Sequence, residues 1–297
     1  MGRHQGMADA GRDEISRLVL GAWDGFIAQA ETLDLGRDSR LPGWRAHEIC
    51  VHLGAWDDHQ ALRDLIASAR SGEAGTPPDP DAVNARVTAA HRTASRDELL
   101  DALRRNRDAT ARYLTDEPVE LDTAPAVSVV GRIPLLSVVL GQAYELAVHW
   151  LDLVSCGAEP PPAEVLQAGI AALTDVTGAL AADTGISGRV TLATPDGGWG
   201  FTADGDGWTV RQVPAGTIDG PAVEGAADLL LEAASGRVNP VPAVARRKLK
   251  VHDVGGLLQL APIVQKVPGI PGGPILQLAA RTMGGAGGML GRLFGKG

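Results

Sequence analysis

The chain has 297 residues, enough for two domains, and its 44% apolar and 21% charged residues are the balance of a globular protein. Its formal net charge of −9 argues against a nucleic-acid partner or an anionic membrane surface, because both select basic patches. No uninterrupted apolar run reaches the roughly 20 residues of a bilayer crossing, so no membrane span is expected.

Residues 1–12 lack the apolar core of a signal peptide and are expected as a disordered leader, with Met7 as an alternative start. From 13 to 33, Ile15, Leu18, Val19, Ala22, Trp23, Phe26 and Ile27 recur at helical spacing behind Asp13 as a cap. A polar stretch then ends in the turn Pro42-Gly43. A second helix is expected from about Trp44 to Ala67, with Ile49, His52, Leu53, Trp56 and His59 near one face. Residues 71–81 read as a loop. Helical patterns follow at 82–94 and 96–114, the latter turning Leu99, Leu100, Leu103 and Ala109 inward. Residues 115–133, with Pro118 and Pro125, read as a long crossover, and a further helix runs from about Pro134 to Ser155. Helices in this order, with short links and one long one, describe an antiparallel bundle.

Gly157-Ala158-Glu159-Pro160-Pro161-Pro162 is the natural domain boundary, since three prolines stop a helix and stiffen a link. A helix over 163–182 leads into strands at RVTLAT (189–194), GWGFTAD (198–204), GWTVRQV (207–213) and AVEG (222–225). A helix over 226–234, a strand at KLKV (248–251) and a helix over 255–266, kinked at Pro262, complete the second half. The expected fold class is therefore α plus α+β in two domains: a helical bundle over 13–158, a small α+β domain over 159–266, and a Gly/Pro-rich tail over 267–297.

Glu145 and His149 lie four residues apart in a helix, which puts both side chains on one face. A carboxylate and an imidazole so placed are two ligands of a divalent site that needs a third. Asp152 shares that face. Of the seven histidines, His4 lies in the leader and His252 in the second domain, while His47 is expected to face solvent and His91 sits in mixed surroundings. His52 is flanked by Ile49, Val51, Leu53 and Trp56 and so turns inward. Glu145 has almost wholly apolar neighbours, and a carboxylate is costly to bury uncompensated. A His2Glu metal site and an ordinary polar helix face both remain open on these residues. Cys50 and Cys156 form no CxxC pair, which argues against a thiolate metal site and for a reducing, cytoplasmic setting.

The segments PGWRAHEICVHLGAWDDH and YELAVHWLDL resemble the paired signature of the mycothiol-dependent maleylpyruvate isomerase family, within the DinB-like metalloenzyme superfamily. That resemblance implies a DinB-like four-helix bundle, a zinc ion held by His52, Glu145 and His149, and Asp152 supporting a ligand from behind. AVEGAADLLLEAASGR and RRKLKVHDVGGLLQLAP are similar to the sterol-carrier-protein-type domain that ends such proteins. Arg45 stands where the family has Thr or Ser after the Pro-Gly-Trp turn, and Gln142 stands where an arginine is frequent. Both departures leave the three ligands in place.

Three protein ligands leave an open coordination position, the mark of a catalytic zinc site. By the resemblance, that position takes the thiol cofactor mycothiol, whose thiolate attacks a small electrophilic substrate in an isomerase or an S-transferase. Arg237, after the second-domain helix, is a candidate for contacting an acidic substrate or cofactor, or else a cation favourably placed at a helix C-terminus. Two other classes stand beside this one. One is a metal-dependent hydrolase with water in the open position; the other is a carrier whose second domain binds a lipid or small molecule. A monomer or weak homodimer is expected.

Overall fold

A computed structural model describes residues 4–73, 75–260 and 262–263. The expected tail over 267–297, and the end of the expected helix over 255–266, lie outside the described residues. The described residues divide into two compact units, one within residues 7–172 and one that joins residues 4–6 to 173–263.

The unit of residues 7–172 is built on helices α1 (Arg12–Thr32), α2 (Ala46–Leu53), α3 (Ala61–Ser71), α4 (Pro80–Ala90), α5 (Arg96–Asp116) and α6 (Leu135–Leu153). Helix α1 packs on both α5 and α6, and α2 contacts α4, α5 and α6. The core is filled from the stripe expected on α1, with Ile15, Val19, Trp23 and Phe26 buried, and from α6, where Leu136, Val139, Leu140, Leu146 and Leu153 are almost inaccessible. On α5, Leu99, Leu100 and Leu103 turn inward as expected, together with Ala102, Thr110, Tyr113 and Leu114, but Ala109 is only half-buried.

The single helix expected over 44–67 is two helices. Gly54 ends α2, and a Cβ there would approach the Ala102 Cβ to 2.8 Å. The chain then forms a tight turn in which Trp56 and His59 exchange backbone hydrogen bonds and the Trp56 indole donates to the Val51 carbonyl at 2.9 Å. His59 is thereby moved off the helical line of His52. The stretch expected as a plain crossover contains a hairpin, β1 (Pro125–Ser128) paired antiparallel with β2 (Gly131–Pro134), which leads directly into α6.

Helix α7 (Ala163–Asp183) runs through the division between the units at Ala172/Leu173, so that division falls inside a helix rather than at the prolines of 160–162. By length and hydropathy α7 could cross a membrane, but 78% of its apolar window is buried within the protein, as in a core helix.

In the other unit, a five-stranded sheet has the order β5-β4-β3-β6-β7, with β3 (Ser187–Thr194), β4 (Gly197–Asp204), β5 (Trp208–Val213), β6 (Ala222–Gly225) and β7 (Leu249–His252). All neighbours are antiparallel except β3 and β6, which pair in parallel. The expected strands are therefore present, in an α+β unit with α8 (Ala227–Ala234), α9 (Pro240–Ala245) and α10 (Val254–Leu258). Residues 6–10, expected within a disordered leader, form a short 3-10 helix, and the Met7 side chain is buried.

Candidate metal centre

The site is assembled from α2, α6, α4 and the loop before α2. Helix α6 presents Glu145 and His149 one turn apart, and α2 brings His52 from its last turn. One ligand atom from each of the three lies within 4.8 Å of the others. The Glu145 Oε2 is 3.6 Å from His149 Nε2 and 4.0 Å from His52 Nε2.

Both imidazoles are turned by a partner on the far nitrogen. His149 Nδ1–H donates to Asp152 Oδ2 at 3.0 Å, and His52 Nδ1–H donates to the Asn84 side-chain oxygen on α4 at 2.9 Å. Each hydrogen bond fixes the tautomer that leaves the Nε2 lone pair facing Glu145, the arrangement that serves a metal ligand. Trp44 walls the site. Its ring stacks on His149 with an interplanar angle of 9° and meets His52 edge-on, the centroids 6.3 and 5.5 Å away. Burial pushes the His149 pKa down by more than the Asp152 hydrogen bond raises it, and neighbouring His52 adds to the depression. His149 is thus held neutral, the form that binds a cation.

The expectation that Glu145 is buried among apolar neighbours does not hold, because its side chain is 50% exposed while His149 is buried. The residues beside it on α6 are buried, whereas Glu145 itself opens to solvent. Its carboxylate needs no compensation for burial and is accessible from solvent. Asp152 is the buried carboxylate, 0% exposed, and Arg40 Nε donates to its Oδ1 at 2.7 Å.

Three other histidines have their partners elsewhere. His47 is buried, not solvent-facing, and its Nε2–H donates to the Ala94 carbonyl at 3.0 Å. His91 stacks on Trp56 with a centroid distance of 3.9 Å and pairs with Asp58 at 2.9 Å. His252 pairs with Glu224 between β7 and β6. Arg237 lies in the other unit, beyond α8, where its Nη1 donates to the Ser235 carbonyl at 3.3 Å, as suits a cation beside a helix C-terminus.

Three residues of the site escaped the sequence reading. Asn84 and Arg40 arrive from distant segments and carry no periodic signal, and Trp44 was visible only as part of the Pro-Gly-Trp turn.

Residues 17–154 match the family model of the mycothiol maleylpyruvate isomerase N-terminal domain. No curated protein matches the chain. The crystal structure of a mycothiol-dependent maleylpyruvate isomerase is similar at 20% identity, covering 78% of this chain and 92% of that one with a TM-score of 0.50. A mutant form of that isomerase gives the same identity and coverage with a TM-score of 0.49. The first of these likenesses is one of fold. The chain thus carries, over residues 17–154, a match to the mycothiol maleylpyruvate isomerase N-terminal domain that contains all three clustered side chains.

Proposed function

We propose that this chain is a metal-dependent, mycothiol-using isomerase or S-transferase acting on a small electrophile, with His52, Glu145 and His149 as ligands. The observation that carries the reading is the convergence of three ligand atoms within 4.8 Å, with both Nδ1 atoms already engaged behind the rings. Two imidazoles and one carboxylate suit zinc and leave a position open for a further ligand. The match over residues 17–154 supports mycothiol as that ligand. The sterol-carrier-type reading of the α+β unit belongs to the same proposal and is supported by its residue pattern.

A bound zinc would lower the pKa of a coordinating thiol and so supply a thiolate at neutral pH. The protein's part is orientation. Asp152 and Asn84 fix the ring tautomers, Trp44 fixes the ring planes, and depressed basicity at His149 keeps a proton from competing for Nε2. The half-exposed Glu145 leaves the site reachable by a soluble thiol and substrate.

Metal analysis and a thiol-dependence assay test this together. Purified protein is expected to hold about one zinc per chain, lost in His52→Ala, and to isomerise maleylpyruvate or consume a related electrophile only with mycothiol present. Activity with zinc alone would favour the hydrolase, in which water takes the open position. A wild-type protein that binds no metal would sink both enzymatic readings and leave the carrier.

A further inference from the structure

We propose that Arg40 is a positioning residue for the metal centre, acting through Asp152 to hold His149 in its ligand tautomer. The inference rests on the metal reading of the same site. Asp152 has its two oxygens divided: Oδ2 accepts the His149 Nδ1–H at 3.0 Å, and Oδ1 accepts Arg40 Nε at 2.7 Å. Asp152 is inaccessible to solvent, whereas Arg40 is 28% exposed, so the arginine is a cation brought from the surface to a buried carboxylate. A buried carboxylate that loses its cationic partner is strongly destabilised as an anion. Without that bond the carboxylate can rotate, and the His149 Nδ1–H loses the alignment of its charge-assisted acceptor.

Arg40 is also held rather than merely near. The loop that carries it is closed by hydrogen bonds from Ser39 N to the Trp44 carbonyl at 2.9 Å and from Trp44 N to Leu41 at 3.1 Å. Ala46 N to the Arg37 carbonyl at 3.0 Å ties the loop to the start of α2, and Arg37 Nη1 to the Cys156 carbonyl at 3.2 Å ties it to the turn after α6. One short loop thus delivers Arg40 behind His149 and Trp44 across its face. His52 has only the neutral Asn84 oxygen at the corresponding position. The two imidazoles are therefore supported unequally, and His149 is the one with an ionic brace.

The test uses the full-length protein. In the metal-free form, ¹⁵N-histidine NMR is expected to show His149 as a single Nδ1–H tautomer. Arg40→Ala should give shifts averaged between tautomers, and Arg40→Lys should restore part of the wild-type pattern. Zinc affinity, measured by competition with a chelating dye, should fall about 10–100-fold in Arg40→Ala. In the Asp152→Asn background the same change should cost nothing further. Wild-type tautomer and affinity in a folded Arg40→Ala protein would overturn the proposal, as would independent, additive losses in the double variant. Should Arg40→Ala fail to fold, Arg40→Lys and Arg40→Gln decide, because a tautomer equally fixed in both removes any need for the arginine's geometry and charge. A wild-type protein that binds no zinc would defeat the metal reading, while the NMR arm still decides the role of Arg40.

Discussion

At the first turn of α2, Glu48 folds back so that its Oε2 accepts the Arg45 backbone N–H at 2.9 Å, while the Arg45 guanidinium donates to both carboxylate oxygens. Arg45 and Glu48 thus close a capping box with an ion pair, and the helix that carries His52 has a defined start. Burial pushes the Glu48 pKa up, but the Arg45 side-chain and backbone hydrogen bonds outweigh it and bring the value from 4.5 down to about 2. A depressed carboxylate contributes stability that is present above about 4.5 and is lost as pH falls toward 2. With Arg45 45% exposed, solvent screening limits that loss to about 1 kcal/mol. Denaturant unfolding from pH 6 to pH 2.5 should show the decline in the wild type and a flatter profile in Glu48→Gln; parallel profiles would refute the assignment. Residue by residue, the candidate cluster was legible where helical spacing speaks. Glu145, His149 and Asp152 share a face of one helix, and His52 stood out by its apolar neighbours. The spacing could not tell which carboxylate is buried. Nor could it show Arg40 or Asn84, whose contacts are long-range.

The elements follow the same logic. Most helices carry an apolar stripe and were expected within a few residues of where they lie, but the break at Gly54 was hidden because apolar residues continue at helical spacing through Trp56. Its cause is tertiary: Ala55 N donates to the Ala102 carbonyl at 2.9 Å, so α2 ends where it meets α5. Helix α9 was missed because of its prolines, although Asn239 followed by Pro240 is a start signal and the Asn239 side chain does accept from Val241 N. Gln142 accepts from Trp23 Nε1 at 2.7 Å and Thr110 Oγ1 at 2.9 Å, tying α6 to α1 and α5. The Gly54 backbone is extended, at φ −75° and ψ 152°, so a side chain there is opposed by space and not by conformation. Gly54→Ala should cost about 1–3 kcal/mol in denaturant unfolding, because its methyl group would lie 2.8 Å from a fully buried Ala102 Cβ. Ala102→Gly in the same chain should recover part of that loss beyond its own helix penalty of about 1 kcal/mol. Strict additivity of the two changes would rule out the steric account.

At the scale of the whole molecule, the chain passes between its two units near its start as well as within α7. Residues 4–6 group with those described from 173 onward, while Met7 begins the other unit. The first described residues are built into the sheet unit: Gln5 bridges Trp208 in parallel, and Trp208 N donates to the His4 carbonyl at 3.1 Å. Gly6, at φ 60°, passes so close to Trp208 and Asp175 that any Cβ would overlap them. The Trp208 indole in turn donates to the buried Asp175 on α7 at 2.9 Å. Composition hid this arrangement, since the segment is polar and rich in glycine, and its order comes from pairing with a strand two hundred residues away. A chain that begins at Met7 would therefore lose a pairing on the open edge of β5 and uncover the Trp208–Asp175 contact. Its cost should be about 1–3 kcal/mol, of the order of one or two hydrogen bonds together with the exposure of a buried aromatic edge. Hydrogen exchange should localise the change: the Trp208 amide and its β5 neighbours lose protection in the shortened chain, while amides of α2 and α6 exchange as before. Zinc uptake should be unaltered, because all three proposed ligands lie in residues 7–172. Unchanged protection at Trp208 would show that the first six residues contribute nothing to the sheet. A loss spread evenly over both units would show instead that they unfold as one.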